Sequence, residues 1–222
     1  MIVVMQCAAR KQMSAGFMRT QNGKRVCFVA DPARAPEGEV VYVRPDDPSD
    51  AGPTWREMLC RYNEGADGNP LGLLPAHALY REGVYQRLAK HVGLERFYIL
   101  SAGWGLIGAA FLTPYYDITF TTQADSYKRR RKSDVYQDFC MLPPNSVEPI
   151  VFFGSSEYVP LFAALTSGIK APKALFSRSQ RVLALPGISV VRFNTARSTN
   201  WQYDCVNAFL DGKLELPFGS QA

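Results

Sequence analysis

Residues 96–102, Arg96-Phe-Tyr-Ile-Leu-Ser-Ala102, decide the fold class, because this apolar strand follows directly on an amphipathic helix. From Pro75 to Val92 the apolar residues recur every three or four positions, and the pattern ends at Gly93, as in a helix that buries one face. At the start of the chain, Ile2-Val-Val-Met5 predicts a buried strand. A strand, a helix and a second strand in this order are typical of a parallel sheet. The fold class is therefore predicted to be α/β.

The rest of the chain continues this alternation of strands, turns and helices. A potential capping box formed by Thr54 and Glu57 predicts a helix over residues 55–62. Strands are predicted at residues 25–30, 39–43, 148–153 and 188–193, and helices at residues 157–167 and, capped by Thr199 or Asn200, at residues 201–210. We expect a single α/β domain that spans residues 1–222.

Composition and length place the chain among ordinary globular proteins. Of its 222 residues, 47% are hydrophobic and 20% are charged, which excludes disordered, collagen-like and coiled-coil classes. The longest apolar run, residues 97–112, is too short for a membrane-spanning helix. The N-terminus has no basic region ahead of its apolar residues, so a secretory signal is not expected. The chain is predicted to have no membrane partner.

The five cysteines argue against both a disulfide framework and a zinc site. They lie far apart, without a C-x-x-C pair, and their number is odd. Only two histidines are present, and neither stands at ligand spacing from a cysteine. We therefore expect a cytoplasmic protein without a metal.

One dense cluster of positive charge lies in the second half of the chain, where Tyr127 precedes Lys128-Arg-Arg-Arg-Lys132. The formal net charge is +5, so these five residues equal the whole excess. Adjacent cations on a loop suit contacts with the phosphates of nucleic acid. The residues predicted to bind DNA phosphates are Lys128, Arg129, Arg130, Arg131 and Lys132. The alternative is a solvated loop without a ligand.

Candidate ligand-binding residues follow three of the predicted strands. They lie in residues 7–11, 101–105 and 154–156, where the carboxyl ends of parallel strands meet at one edge of the sheet. Small residues at such positions let a ligand approach the backbone. The alternative is that the glycines only make tight turns.

A segment rich in aromatic residues, Pro114-Tyr-Tyr-Asp-Ile-Thr-Phe120, places the carboxylate of Asp117 close to these turns. Such a carboxylate could stabilise a cationic sugar transition state or position a water, while Tyr116 stacks on a base. Asp31, in an Asp-Pro pair after a predicted strand, is a second candidate. The alternatives are that Asp117 caps a turn with core tyrosines beside it, and that Asp31 starts a turn.

The order of these motifs resembles the family of small bacterial proteins similar to the peroxide-stress protein YaaA. The match spans residues 2 to about 165, and its most specific part is Leu-Ser-Ala-x-x-Gly-Leu followed by Pro-Tyr-Tyr-Asp. An insertion of about residues 24–69 departs from the short forms of the family. The matching segments are Ile2 to Lys11, Leu74 to Tyr80, Tyr98 to Ile107, Pro114 to Thr119 and Phe153 to Tyr158.

The resemblance implies a fold remotely similar to that of uracil-DNA glycosylases. That fold is a three-layer α/β/α sandwich around a mostly parallel central sheet, here with an inserted hairpin and helix. Its ligand pocket lies at the carboxyl ends of the central strands. Base-excising enzymes that attack modified phage DNA are similar to the long form of the family.

The expected function is therefore a DNA glycosylase that flips a modified base and hydrolyses its N-glycosidic bond in anti-phage defence, without a cofactor. Asp117 is the first candidate for the catalytic carboxylate and Asp31 the second. Predicted substrate-binding residues are Cys7, Arg10, Lys11, Ser101, Gly103, Trp104, Gly105, Tyr116, Gly154 and Ser155. Two alternatives remain: a DNA-binding stress-response protein without turnover, and a hydrolase of free nucleosides or nucleotides.

Overall fold

The computed structural model describes residues 1–65, 68–179 and 185–218. In these ranges the strands are β1 (Ile2–Gln6), β2 (Met18–Arg19), β3 (Arg25–Phe28), β4 (Val41–Val43), β5 (Leu74–Pro75), β6 (Phe97–Ser101), β7 (Gly105–Gly108), β8 (Leu112–Thr113), β9 (Phe139–Cys140), β10 (Ile150–Phe153), β11 (Lys173–Ser177) and β12 (Ile188–Arg192). The α-helices are α1 (Trp55–Glu64), α2 (Ala76–Leu79), α3 (Val84–Val92), α4 (Val159–Leu165) and α5 (Trp201–Leu210). The protein is thus a mixed α/β fold, as the sequence predicts.

A mostly parallel sheet of seven strands forms the centre of the protein. Its order is β12-β11-β10-β1-β6-β7-β9, and the five strands from β12 to β6 are mutually parallel. The central strand β1 is buried along its whole length, because every residue from Ile2 to Gln6 is covered on both faces. β7 turns back from β6 as an antiparallel hairpin, so the sheet is mixed at that edge.

Helices cover both faces of this sheet. Phe152 and Phe153 are consecutive in β10, so their side chains point to opposite faces. Phe152 stacks on Phe162 of α4, whereas Phe153 contacts Phe209 of α5. α3 packs with α5 on the same face. None of the helices in the described ranges is long and apolar enough to cross a membrane.

The segment predicted to be an insertion, about residues 24–69, contributes buried residues to the core. Its strands β3 and β4 form a small sheet with β2, which precedes the segment; β2 and β3 are antiparallel, and β3 and β4 are parallel. Phe28 at the end of β3 is fully buried and packs on Trp55 and on Trp104. The insertion therefore helps to build the region of the sheet edge rather than extending away from it.

The structure differs from the sequence prediction in one helix and in several strands, since β2, β5, β7, β8 and β9 were also not predicted. The single helix expected from Pro75 to Val92 is broken between α2 and α3, because Tyr80 adopts an extended conformation and pairs with Lys11. Strand β11 was not predicted, although Lys173-Ala-Leu-Phe-Ser177 is a short, largely apolar run of the kind that forms buried strands.

Candidate functional site

The topological switch point of the sheet lies between β1 and β10, where connections leave in opposite directions. Side chains and backbone groups of the protein occupy this switch point. The Sγ atom of Cys7 lies 3.2 Å from the hydroxyl of Tyr158, and the backbone N–H of Ser155 donates to Oε1 of Gln6 at 2.6 Å. Cys7 is buried, so the expectation that its side chain contacts a ligand is not met in this conformation.

Ser101 organises the turn that follows β6. Its hydroxyl oxygen accepts from the backbone N–H groups of Gly103 and Trp104, and the hydroxyl donates to Tyr116 at 2.9 Å. The hydroxyl of Tyr116 in turn lies 2.9 Å from that of Tyr80. Because Ser101 is fully buried and its hydrogen bonds are used inside the protein, its role here is structural rather than ligand binding.

Two buried arginines hold the carbonyl groups of the same turn. Arg56 of α1 donates to the carbonyl oxygens of Gly103 and Trp104, and Arg130 donates to that of Ala102. Asp46 pairs with Arg56, and Asp138 pairs with Arg130. The arginines of two ion pairs thus bind three consecutive carbonyl groups. One of these pairs, Asp46 with Arg56, lies in the segment predicted to be an insertion.

The three glycines predicted to admit a ligand are packed against protein instead. A side chain at Gly103 would meet Ile118 and Tyr116, and one at Gly105 would meet the backbone of Phe139. Gly105 also has a φ of 85°, which favours glycine. A side chain at Gly154 would overlap the ring of Phe152. At all three positions the close neighbour is the protein itself.

Trp104 and Tyr116 are fully buried, so neither ring offers a face to a flipped base. Trp104 packs edge-on against Phe28 and Tyr116. The expectation that these two rings form a stacking platform is therefore wrong for this conformation, and the alternative that they belong to the core holds.

The basic cluster divides into two structural classes. Arg130 is buried, with only 6% of its side chain exposed, and forms a bidentate pair with Asp138. Lys128 is half-buried and paired with carboxylates. Arg129, Arg131 and Lys132 are exposed. Five phosphate contacts were predicted from this cluster. Because Arg130 is committed to the protein interior, it cannot supply one of them.

Asp117 is partly exposed and belongs to a group of titratable side chains. Its Oδ2 lies 3.1 Å from Nζ of Lys128, which also lies 2.9 Å from Oδ2 of Asp125. These contacts raise the pKa of Lys128, with Asp125 as the largest cause. The side chains around Asp117 whose charges influence one another are here called the Asp117 cluster: Lys11, Cys27, Tyr42, Tyr115, Asp117, Tyr127 and Lys128.

Lys11 is the buried member of the Asp117 cluster. Its ammonium group lies 4.2 Å from the centre of the Tyr116 ring and within 3.3 and 3.4 Å of the carbonyl oxygens of Ala9 and Ala8. Burial lowers the pKa of Lys11, and the negative charge of Asp117 is among the influences that oppose this lowering. The loop after β1 thus carries a desolvated amine that is held by protein groups.

Partly exposed tyrosines surround Asp117 where the predicted stacking residues do not. Burial and then the charge of Asp117 raise the pKa of Tyr115. The rings of Tyr42 and Tyr127 lie 6.0 Å apart in an edge-to-face arrangement. Burial, followed by Asp117, raises the pKa of Cys27 to about 12, so this thiol stays protonated at neutral pH. Tyr42, Tyr115 and Tyr127 therefore contribute partly exposed aromatic surface to the Asp117 cluster.

Asp31, the second candidate carboxylate, flanks the same basic segment. Its backbone N–H donates to the carbonyl oxygen of Tyr127, and its carboxylate lies 3.2 Å from Arg34. Asp31 precedes a 3-10 turn that starts at Pro32, which agrees with the alternative that it starts a turn. Arg10 is exposed and paired with Glu82 at 3.0 Å.

A separate cavity lies at the carboxyl ends of β10, β11 and β12. This cavity has a volume of 540 Å³ and is lined by Ser155, Ser156, Glu157, Val159, Leu175, Phe176, Ser177, Arg178, Ser179, Thr195, Ser198 and Trp201. Of the predicted site residues, Ser155 lies here. A smaller cavity of 180 Å³ shares Glu157 with it and is bordered by Arg131 and Lys132.

No group of three or more His, Cys, Asp or Glu side chains in the described ranges could hold a metal ion. Comparison of the chain with protein-family models, curated proteins and solved structures found no match. The resemblance to the YaaA-like family stays a prediction that rests on the motifs themselves.

Sequence reasoning missed the cavity beyond β11, because that strand was not predicted. The run of apolar residues that ends in Ser177-Arg178-Ser179 was the available signal. It also missed Arg56, since nothing in a sequence distinguishes a buried arginine from an exposed one.

Proposed function

We propose that the protein hydrolyses N-glycosidic bonds and acts on a modified base extruded from DNA. The observation that carries this proposal is the Asp117 cluster, in which a partly exposed carboxylate lies 3.1 Å from the ammonium of Lys128. Ionisable groups with perturbed pKa values are concentrated at functional sites. The position of Lys11, just beyond the end of β1, is where α/β folds bind ligands.

The chemistry requires a carboxylate and an acid. When the bond between C1′ and the base breaks, its electron pair leaves with the base, and the sugar gains positive charge shared by C1′ and the ring oxygen. The Asp117 carboxylate would stabilise that charge and orient the water that adds to C1′. The departing base would take its proton from solvent, because the ammonium of Lys11 is buried against the Tyr116 ring and the carbonyl oxygens of Ala8 and Ala9.

Recognition of DNA would use the neighbouring surface. Exposed Arg129, Arg131 and Lys132 follow Lys128 directly in the chain, so phosphate contacts would place the strand next to Asp117. Tyr42, Tyr115 and Tyr127 would contact the extruded base, in place of the buried rings expected from the sequence. In this account the fold is related to that of uracil-DNA glycosylases, as the resemblance implies.

The test is incubation of the protein with DNA that carries ordinary, uracil-containing or hypermodified bases, followed by measurement of abasic sites and released base. We expect abasic sites with at least one modified substrate and no turnover of the free nucleoside. Binding of DNA without abasic product on any substrate would support a DNA-binding protein without turnover. Release of base from free nucleosides alone would instead identify a nucleoside hydrolase.

A further inference from the structure

The 540 Å³ cavity at the carboxyl ends of β10, β11 and β12 shares no residue with the Asp117 cluster. Its volume falls in the range of roughly 300–1,000 Å³ that is typical of small-molecule sites. The lining residues all lie in the described ranges. Their chemistry therefore indicates which class of ligand the cavity suits.

Two exposed arginines supply positive charge at this edge. Ser177 of β11 pairs in register with Arg192 of β12, and Arg178 follows Ser177 directly. Arg178 lines both the 540 Å³ cavity and an adjoining cavity of 410 Å³, which Arg192 also lines. Among the described residues neither guanidinium forms a salt bridge. Nη1 of Arg178 donates to the carbonyl oxygen of Arg197 at 3.1 Å, which fixes this side chain to the loop that carries Thr195.

The remainder of the lining is divided between hydroxyl groups and an apolar floor. Ser155, Ser156, Ser177, Thr195 and Ser198 contribute side-chain hydroxyls, which can donate to phosphate oxygens. Leu175, Phe176 and the largely buried Trp201 form the apolar part. A bare anion would leave that part unused, whereas an organic phosphate would cover it.

One carboxylate also borders the cavity. Glu157 lies at the side where the 180 Å³ cavity adjoins, and Arg131 and Lys132 border that smaller space. Among the described residues that line the 540 Å³ and 410 Å³ cavities, two guanidinium groups without a salt bridge stand against one carboxylate, which gives an excess of positive charge. The planar guanidinium fork matches phosphate oxygens well.

We propose that this cavity binds a phosphate ester of nucleotide size, with its phosphate on Arg178 and Arg192 and its organic part on the floor that ends at Trp201. The phosphate could belong to a free nucleotide or to the phosphorylated end of a nucleic-acid strand. The site is independent of the proposed glycosidic reaction, so either can fail without the other.

The test is isothermal titration of the full chain with adenosine 5′-monophosphate, adenosine, and one oligonucleotide with and without a 5′-phosphate. We expect at least one phosphorylated probe to bind at least ten-fold more tightly than its unphosphorylated counterpart. R178Q and R192Q are each expected to weaken that binding at least ten-fold. Both side chains are exposed, so the variants should fold, which circular dichroism checks.

R19Q is the matched control, because Arg19 is an exposed arginine on β2 that lines neither cavity. It should leave the affinity unchanged. If adenosine 5′-monophosphate binds and the arginine variants weaken that binding, the ligand is a free nucleotide. If only the phosphorylated oligonucleotide binds in this way, the ligand is the phosphorylated end of a nucleic-acid strand. Equal affinity with and without phosphate, or affinity indifferent to R178Q and R192Q, would overturn the proposal.

Discussion

The Nζ atom of Lys128 lies 3.1 Å from Oδ2 of Asp117, so the first cation of the basic cluster holds the candidate catalytic carboxylate. Lys128 is also tied to Asp125 at 2.9 Å. The segment predicted to bind DNA is thereby anchored to the residue predicted to act on the sugar. Phosphate contacts of the exposed cations that follow Lys128 would therefore place the DNA strand close to Asp117.

Lys11→Met is expected to leave the melting temperature at pH 7 at or above that of the wild type. Burial lowers the pKa of Lys11, which means that the folded protein bears a desolvation cost for this charge. Each kcal/mol of relieved cost raises the Tm by about 2–4 °C in a domain of this size. Thermal denaturation measures the effect. A Tm well below that of the wild type would show that the contacts of the Lys11 ammonium outweigh its desolvation cost.

The same substitution has an expected dependence on pH. Below the folded-state pKa of Lys11 the amine is protonated in both states, so the full desolvation cost is present. As the pH rises from that pKa towards the ordinary lysine pKa of 10.5, the unfolded state holds more protons than the folded state, and the wild type gains stability relative to Lys11→Met. The difference in Tm between Lys11→Met and the wild type should therefore be smaller at pH 9.5 than at pH 7.

The triple variant R129A/R131A/K132A is expected to bind DNA more weakly and with less dependence on salt. Each lost phosphate contact reduces the slope of log K against log salt by about 0.9 for duplex DNA, so three contacts reduce it by up to about 3. The three side chains are exposed, and the Tm should stay near that of the wild type. An unchanged slope would rule out this segment as the phosphate-binding surface.

Arg130→Met is expected to destabilise the protein rather than to weaken phosphate binding selectively. The substitution leaves the buried carboxylate of Asp138 without its partner, and loss of one member of a buried ion pair costs about 3–5 kcal/mol. The double variant R130M/D138L should recover part of that loss, because no buried charge remains. Urea denaturation of the two variants checks the expectation.

The sequence predicted the elements whose signals are local. The capping box of Thr54 and Glu57 is present with both hydrogen bonds, and α1 begins at Trp55 as expected. Strands β1 and β6 follow from their apolar runs and pair in parallel. The break at Tyr80 was not predictable in the same way, because it depends on a tertiary pairing with Lys11 that outweighs the helical periodicity.

The sequence did not separate the buried candidates for the site from the exposed ones. Motif residues after the strands include both ligand-facing and packing groups, and sequence alone does not separate them. Ser101 and Trp104 are buried in the turn that Arg56 and Arg130 stabilise through hydrogen bonds to its carbonyl groups. Asp117, in contrast, is partly exposed. Which of two similar side chains faces solvent is decided by contacts between distant segments.

The most direct test of the proposed function compares the rate of abasic-site formation by D117N and D125N on a modified DNA substrate. Both variants remove one carboxylate from Lys128. Of the two carboxylates, only Asp117 is among the charges that influence the pKa of Lys11. Loss of a group that stabilises transition-state charge lowers the rate by about 10²–10³-fold. We predict such a loss for D117N and a rate within a few-fold of wild type for D125N. Equal rates for D117N and the wild-type protein would contradict the role assigned to Asp117.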